Sequence, residues 1–122
     1  MPVEVEDVEA DGAGNVLFAE VSFEHIVERV SAHGAYGKRS AAVAGEAARM
    51  MRDYLGSGAV VGRRLADQLL LPMALGEGGE IVTMAPSNHV VTNAELIEKF
   101  LPVAITTEEL GQGQWKISVD RR

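Results

Sequence analysis

The stretch Glu80-Ile81-Val82-Thr83-Met84-Ala85-Pro86-Ser87-Asn88-His89-Val90-Val91-Thr92-Asn93-Ala94-Glu95-Leu96-Ile97-Glu98-Lys99-Phe100-Leu101-Pro102 decides how the chain folds. Residues 80–85 read as a short strand, and Pro86-Ser87-Asn88 as the turn that ends it. Thr92-Asn93-Ala94-Glu95 has the form of a capping box, in which a threonine hydroxyl and a glutamate three residues on satisfy free backbone amides. It predicts an amphipathic helix with Leu96, Ile97, Phe100 and Leu101 on its apolar side, stopped by Pro102. Residues 103–109 and 114–119 then read as strands joined across Gly111-Gln112-Gly113, with Trp115, Ile117 and Val119 on one face. The order β-α-β-β makes this an α/β (α+β) chain.

Upstream, residues 61–75 form a second helical stretch, apolar through Leu65, Leu69 and Leu70, with Pro72 inside it. A proline there removes one intrahelical hydrogen bond and predicts a kink near Gln68. Residues 41–56 are helical by the spacing of Val43, Ala47, Met50, Met51 and Tyr54, with Ser40 as the expected N-cap. Residues 15–24 alternate as a strand through Leu17, Ala19, Val21 and Phe23. Residues 25–34 are short and β-branched, which favours a second strand over a helix. Each of the regions 15–56 and 61–119 has few strands for its helices, so part of the sheet is expected to come from outside this chain.

The 122 residues contain 11 basic and 18 acidic side chains, a formal charge of −7, with 47% hydrophobic residues and no cysteine. So much apolar content excludes a disordered chain, and the absence of any run of eighteen apolar residues predicts no membrane span. The acidic N-terminal stretch does not read as a signal peptide. A cysteine-free chain has no disulfide framework or thiolate metal site, and suits a reducing, cytoplasmic compartment. Overall acidity argues against a sequence-independent nucleic-acid coat. The charge is uneven, however. Glu4, Glu6, Asp7, Glu9 and Asp11 crowd the start, whereas Lys38, Arg39, Arg49, Arg52, Arg63 and Arg64 face only Glu46 and Asp53, a local +4. Such a stretch can meet phosphate, or can be a solvated helix face.

Common catalytic motifs are missing. Gly56-Ser57-Gly58-Ala59-Val60-Val61-Gly62 is one residue too long for a dinucleotide loop and follows a helix. Gly37-Lys38-Arg39-Ser40 lacks the first glycine of a phosphate loop. His25, His33 and His89 share no metal-ligand spacing, and no metal site is expected. No nucleophile elbow of the serine hydrolase type occurs.

His89 stands apart because it lies between a strand and a helix start. A helix N-terminus offers free amides and a partial positive charge that favour an anion. An imidazole facing a phosphate there can serve as nucleophile or general base. The alternative is a loop histidine bonded to backbone. Asp67 and Gln68 sit beside an apolar helix face close to Pro72, where they either contact a ligand or form the exposed side of an amphipathic helix.

The run Leu55-Gly56-Ser57-Gly58-Ala59-Val60-Val61-Gly62-Arg63-Arg64-Leu65-Ala66-Asp67-Gln68-Leu69-Leu70-Leu71-Pro72-Met73-Ala74-Leu75 closely resembles the RNA 3'-terminal phosphate cyclase family. So does Pro86-Ser87-Asn88-His89-Val90-Val91-Thr92-Asn93, followed by Ile97-Glu98-Lys99-Phe100-Leu101-Pro102-Val103. The Ala-Asp-Gln-Leu block and the Pro-Ser-x-His-x-x-Thr-Asn block, at this separation, make a specific pair. The resemblance covers nearly all of this chain and about the last third of a typical member.

The resemblance implies an enzyme that uses ATP, with Mg²⁺, to convert an RNA 3'-phosphate end into a 2',3'-cyclic phosphate. His89 matches the histidine that attacks the α-phosphate of ATP and carries AMP. Asp67 and Gln68 match residues that lie against the nucleotide. Arg64 stands where the family usually has a tyrosine or histidine stacked on adenine, and a planar guanidinium can also stack. By the same resemblance, residues 1–57 correspond to the second half of an inserted domain with its exit helix, and residues 58–122 to the C-terminal repeat of the catalytic domain. The N-terminal part of the active site, with its metal-binding acid, would lie outside this chain. The expected partners are RNA 3'-phosphate ends and either that missing portion or a second copy. The competing reading is a catalytically inactive fragment, or an interaction module of a split cyclase. A cyclase-like branch that serves ribosomal RNA processing lacks the nucleophile, so retained His89 speaks against it.

Overall fold

The computed structural model describes residues 2–122. Its elements run β1 (Val16–Ser22), β2 (Val27–His33), α1 (Ser40–Ser57), α2 (Arg63–Leu75), β3 (Gly79–Met84), α3 (Asn88–Phe100), β4 (Val103–Gly111) and β5 (Gln114–Arg121). Residues 2–15 carry neither helix nor strand and are exposed. The α/β class holds, built on two small antiparallel sheets.

The larger sheet has the order β3-β5-β4, with β5 antiparallel to both neighbours. β3 and β4 are therefore parallel to each other, and α3 makes the crossover between them. The hairpin returns β5 into the gap, so each backbone edge of this inner strand finds a partner. The turn is set by Gln112 and Gly113, both at positive φ (54° and 79°), as a two-residue turn matching strand twist requires. A register shift between Glu109 and Gly111 leaves Leu110 as the extra residue of a bulge.

Helices α2 and α3 cover one face of this sheet. Ala66, Leu70 and Ala74 repeat every four residues on α2, and Val90, Ala94 and Ile97 follow at steps of four and three on α3. They close over Val103, Ile117 and Val119, and Leu70 and Ile117 are fully buried. Each such large aliphatic side chain contributes about 1.5–3 kcal/mol by leaving water. The expected inward side of β5 is borne out at Ile117 and Val119, with Trp115 half-buried.

The second sheet pairs β1 with β2 from Val16↔His33 to Ser22↔Val27, so the second strand expected in residues 25–34 is present. α1 packs Val43 and Ala47 against Ala32. Tyr54, at the end of α1, joins Ala59 and Met84, which ties this unit to β3.

Three boundaries differ from expectation. Ser40 is the first residue of α1 rather than its cap; Arg39 holds the cap position, with no side-chain hydrogen bond. Val61 lies outside α2 because its N–H donates to the Val82 carbonyl (3.1 Å) and it bridges Thr83 in parallel, so the helix starts at Arg63. Thr92 is not a cap, since α3 has already begun four residues earlier.

Candidate functional site

The start of α3 is fixed by Ser87. Its backbone is extended (φ −75°, ψ 166°) and its Oγ accepts a hydrogen bond from the Val90 N–H at 3.3 Å. A serine cap of this kind satisfies one of the free amides of the first turn. His89 is consequently a member of that turn and not of a loop ahead of the helix, and its side chain is exposed. The cap pattern at Thr92 lies inside the helix, because Ser87 is the extended residue that caps it and the helix propagates from Asn88.

α2 has a different start. Gly62 caps it without a side chain, and the missing acceptor comes from β2: Glu28 Oε2 accepts from the Gly62 N–H at 3.3 Å. Glu28 is 5% exposed, and burial pushes its carboxyl pKa up while the Gly62 bond pulls it down. A carboxylate at this helix end is favoured by the helix dipole. The fit is tight, since a Cβ on Gly62 would stand 1.9 Å from Glu28 Oε1. Nearby, Tyr54 donates to the Val60 carbonyl at 2.8 Å, and burial, followed by the charge of Glu28, raises the pKa of its phenol.

Two contacts set α2 beside α3. Arg63 Nε donates to the Ala85 carbonyl at 3.2 Å, three residues ahead of the start of α3. Further along, Asn93 Nδ2 donates to Asp67 Oδ1 at 3.2 Å. The first turn of α2 meets the segment leading into α3, and second turn meets second turn, so the helices run parallel with both N-termini at one end. Glu28 already occupies the start of α2, so the first turn of α3, with its own partial positive charge, is the end that favours an anion such as phosphate. His89 and Asn93 are four residues apart on α3 and share a face, so Asp67 is clamped one turn along from the imidazole.

The four residues singled out in the sequence divide between two sides of α2. Asp67 faces α3 and the helix of His89. Arg64 and Gln68 are exposed and line, with Leu65, a cavity of about 280 Å³ against the β1-β2 sheet. Arg64 Nη1 reaches Ser31 Oγ at 3.4 Å. On the sheet side, the Arg29 guanidinium lies 5.0 Å over the Phe18 ring, and its Nε donates to Glu20 Oε2 at 2.7 Å.

Two residues of this region were not read from the sequence. The capping-box pattern masks Asn93, but once α3 starts at Asn88 its four-residue spacing from His89 places it on the same face. Glu28 looks like an ordinary strand residue, yet alternation puts it on the inward side with Val30 and Ala32, where an acid is unusual. Of the other histidines, His25 is exposed beside Glu24 (3.6 Å) and His33 is exposed at the end of β2. Among the described residues no three carboxylate or imidazole groups converge as a metal site. No helix among them is long and apolar enough to cross a membrane.

A family model described as RNA 3'-terminal phosphate cyclase matches residues 4–107. The protein of that name from Pseudomonas fluorescens is 46% identical over 101 residues, covering 83% of this chain and 30% of the relative. The one from Salmonella agona is 42% identical over 98 residues, with 80% and 28% covered. That of Salmonella paratyphi C is 39% identical over 111 residues, with 91% and 32% covered. The chain thus spans about 30% of the length of the curated relatives it matches.

Proposed function

The chain belongs to the RNA 3'-terminal phosphate cyclase family, and on that premise we propose that it is the C-terminal portion of an ATP-dependent cyclase working through a histidine–AMP intermediate. The observation that carries this reading is the parallel start of α2 and α3, with His89 in the first turn and Asp67 held by Asn93 beside it. The N-terminal end of α3 receives the phosphates. A neutral imidazole nitrogen of His89 attacks the α-phosphorus of ATP; an N–P bond forms, the α–β phosphoanhydride breaks, and pyrophosphate leaves. An oxygen of the RNA 3'-phosphate then displaces the imidazole and takes AMP. Finally the neighbouring 2'-oxygen attacks the phosphorus of the RNA 3'-phosphate; its proton goes to solvent, the anhydride bond to AMP breaks, and AMP departs as the cyclic phosphate closes.

Asp67 and Gln68 orient the nucleotide in this reading, and Arg64 supplies a planar cation for its base. Residues 1–57 serve as the second half of the inserted domain, and residues 58–122 as the last repeat of the catalytic domain. A cytoplasmic location belongs to the same proposal.

A second reading is favoured by the share of the relatives that the chain spans. A non-catalytic fragment or interaction module would use its sheet edges to bind the remaining cyclase portion, or a second copy. Cyclisation of a 3'-phosphorylated oligoribonucleotide, assayed with the chain alone and co-expressed with an N-terminal cyclase portion, separates the two. Cyclic-phosphate ends that require His89 support the first reading. A stable complex without turnover supports the second.

A further inference from the structure

Glu28 is the only buried charged side chain among the described residues, and the chemistry at His89 makes no use of it. It stands on β2, yet its hydrogen bond crosses to the cap of α2. The sequence around that cap lacks an acceptor of its own. In a capping box the residue three places into a helix reaches back to the N–H of the cap. On α2 that residue is Leu65, and the cap is Gly62, so neither offers a side-chain oxygen. Glu28 supplies the carboxylate from 34 residues away. It lies so close along Gly62 that any side chain there would overlap it.

The position of this first turn decides where the proposed nucleotide residues stand, since Arg64, Asp67 and Gln68 all follow closely on Gly62 in α2. Asp67 has a tie of its own, to Asn93 on α3. Arg64 and Gln68 face the other way, into the cavity that Glu28 also lines. A helix is stiff over two turns, so a shift at its start is carried to both. β2 holds that start twice, through Glu28 on the Gly62 amide and through Ser31, whose Oγ accepts from Arg64 Nη1 at 3.4 Å. His89 is set separately, by the Ser87 cap of α3.

We infer that Glu28 is a positioning residue for the nucleotide: from β2 it fixes the start of α2, and through that helix it sets Arg64 and Gln68 against ATP. The inference rests on the cyclase reading for its ligand. Loss of Glu28 should therefore weaken ATP binding and spare the transfer of AMP once ATP is bound.

The test uses the full chain co-expressed with an N-terminal cyclase portion and takes two readouts. One is the anisotropy of an ATP carrying a fluorophore on its ribose; the other is the rate of AMP label on His89 as ATP is raised. Glu28→Ala should raise the dissociation constant and the half-saturating ATP roughly tenfold, with the rate at saturation within about twofold of wild type, the pattern of lost binding and intact chemistry. Glu28→Gln keeps an acceptor for the Gly62 N–H and should restore both values. Val43→Ala thins the packing of α1 on β2, away from α2, and should melt lower while binding ATP as the wild type does. Should circular dichroism show Glu28→Ala unfolded, Gly62→Ala, which drives the carboxylate off its amide, is expected to give the same weakening. Unchanged ATP binding without the Glu28–Gly62 contact, equal weakening in Val43→Ala, or no rescue by Glu28→Gln overturns the inference. Label on His89 with ATP binding indifferent to Glu28 removes the positioning role alone. Glu28-dependent ATP binding without label keeps it and removes the nucleotidyl-transfer reading. No ATP binding by the wild-type complex overturns both.

Discussion

Asn93 Nδ2 donates to Asp67 Oδ1 across 3.2 Å, joining α3 to α2 one turn beyond His89. Replacing either partner, as Asn93→Ala or Asp67→Ala, should cost about 0.5–1.5 kcal/mol of stability, the usual net worth of such a bond. A double-mutant cycle in urea melts should show the two losses to be less than additive. In the proposed enzyme both variants also slow AMP transfer to His89, measured against equally folded wild type.

Gly62 is required for space and not for conformation. Its φ of −72° suits any residue, but a Cβ would sit 1.9 Å from Glu28 Oε1. Gly62→Ala should destabilise by about 1–3 kcal/mol, as overpacking does. Adding Glu28→Ala should recover part of that loss, and thermal melts of the single and double variants measure it.

The Glu28 carboxyl has a raised pKa in the folded chain. Between its ordinary value near 4.5 and that raised value, the folded state holds more proton than the unfolded one, so stability falls as pH rises. Glu28→Gln keeps an acceptor for the Gly62 N–H and removes the titration. The wild type should therefore lose stability relative to Glu28→Gln as pH climbs above 4.5, and regain it on acidification. Chemical denaturation at a series of pH values reads the difference; a gap that widens towards acid contradicts it.

Thr83 is 1% exposed, and its hydroxyl is buried without a hydrogen-bond partner among the described residues. Thr83→Val preserves the shape and removes an unpaired polar group, whose desolvation costs about 1–3 kcal/mol. The variant should melt at or above the wild-type temperature. A clear loss of stability would mean that the hydroxyl has a partner.

The fold was largely legible because its strands and helices carry the right periods: Ile117 and Val119 alternate inward, and Ala66, Leu70 and Ala74 repeat by four. The turn residues Gln112 and Gly113 announced the hairpin. Helix starts were less legible: Ser40 and Thr92 have plausible cap chemistry, but α1 takes Arg39 as its cap and Ser87 caps α3 first, while Val61 is drawn to β3 by a contact remote in sequence. At the site, its place between strand and helix picked out His89, and the family resemblance pointed to Asp67, Gln68 and Arg64, but not to α2 turning Asp67 one way and Arg64 and Gln68 the other. The Glu28–Gly62 contact spans 34 residues, and local sequence holds no record of such pairings.

The central claim is that His89 takes AMP. The direct measurement is incubation with ATP labelled at the α-phosphate, with the chain co-expressed beside an N-terminal cyclase portion. The account predicts a covalent label, stable to alkali and lost in acid as a phosphoramidate is, that maps to the peptide bearing His89 and vanishes in His89→Ala. Label that persists in His89→Ala, or no label with the complementary portion present, would contradict it.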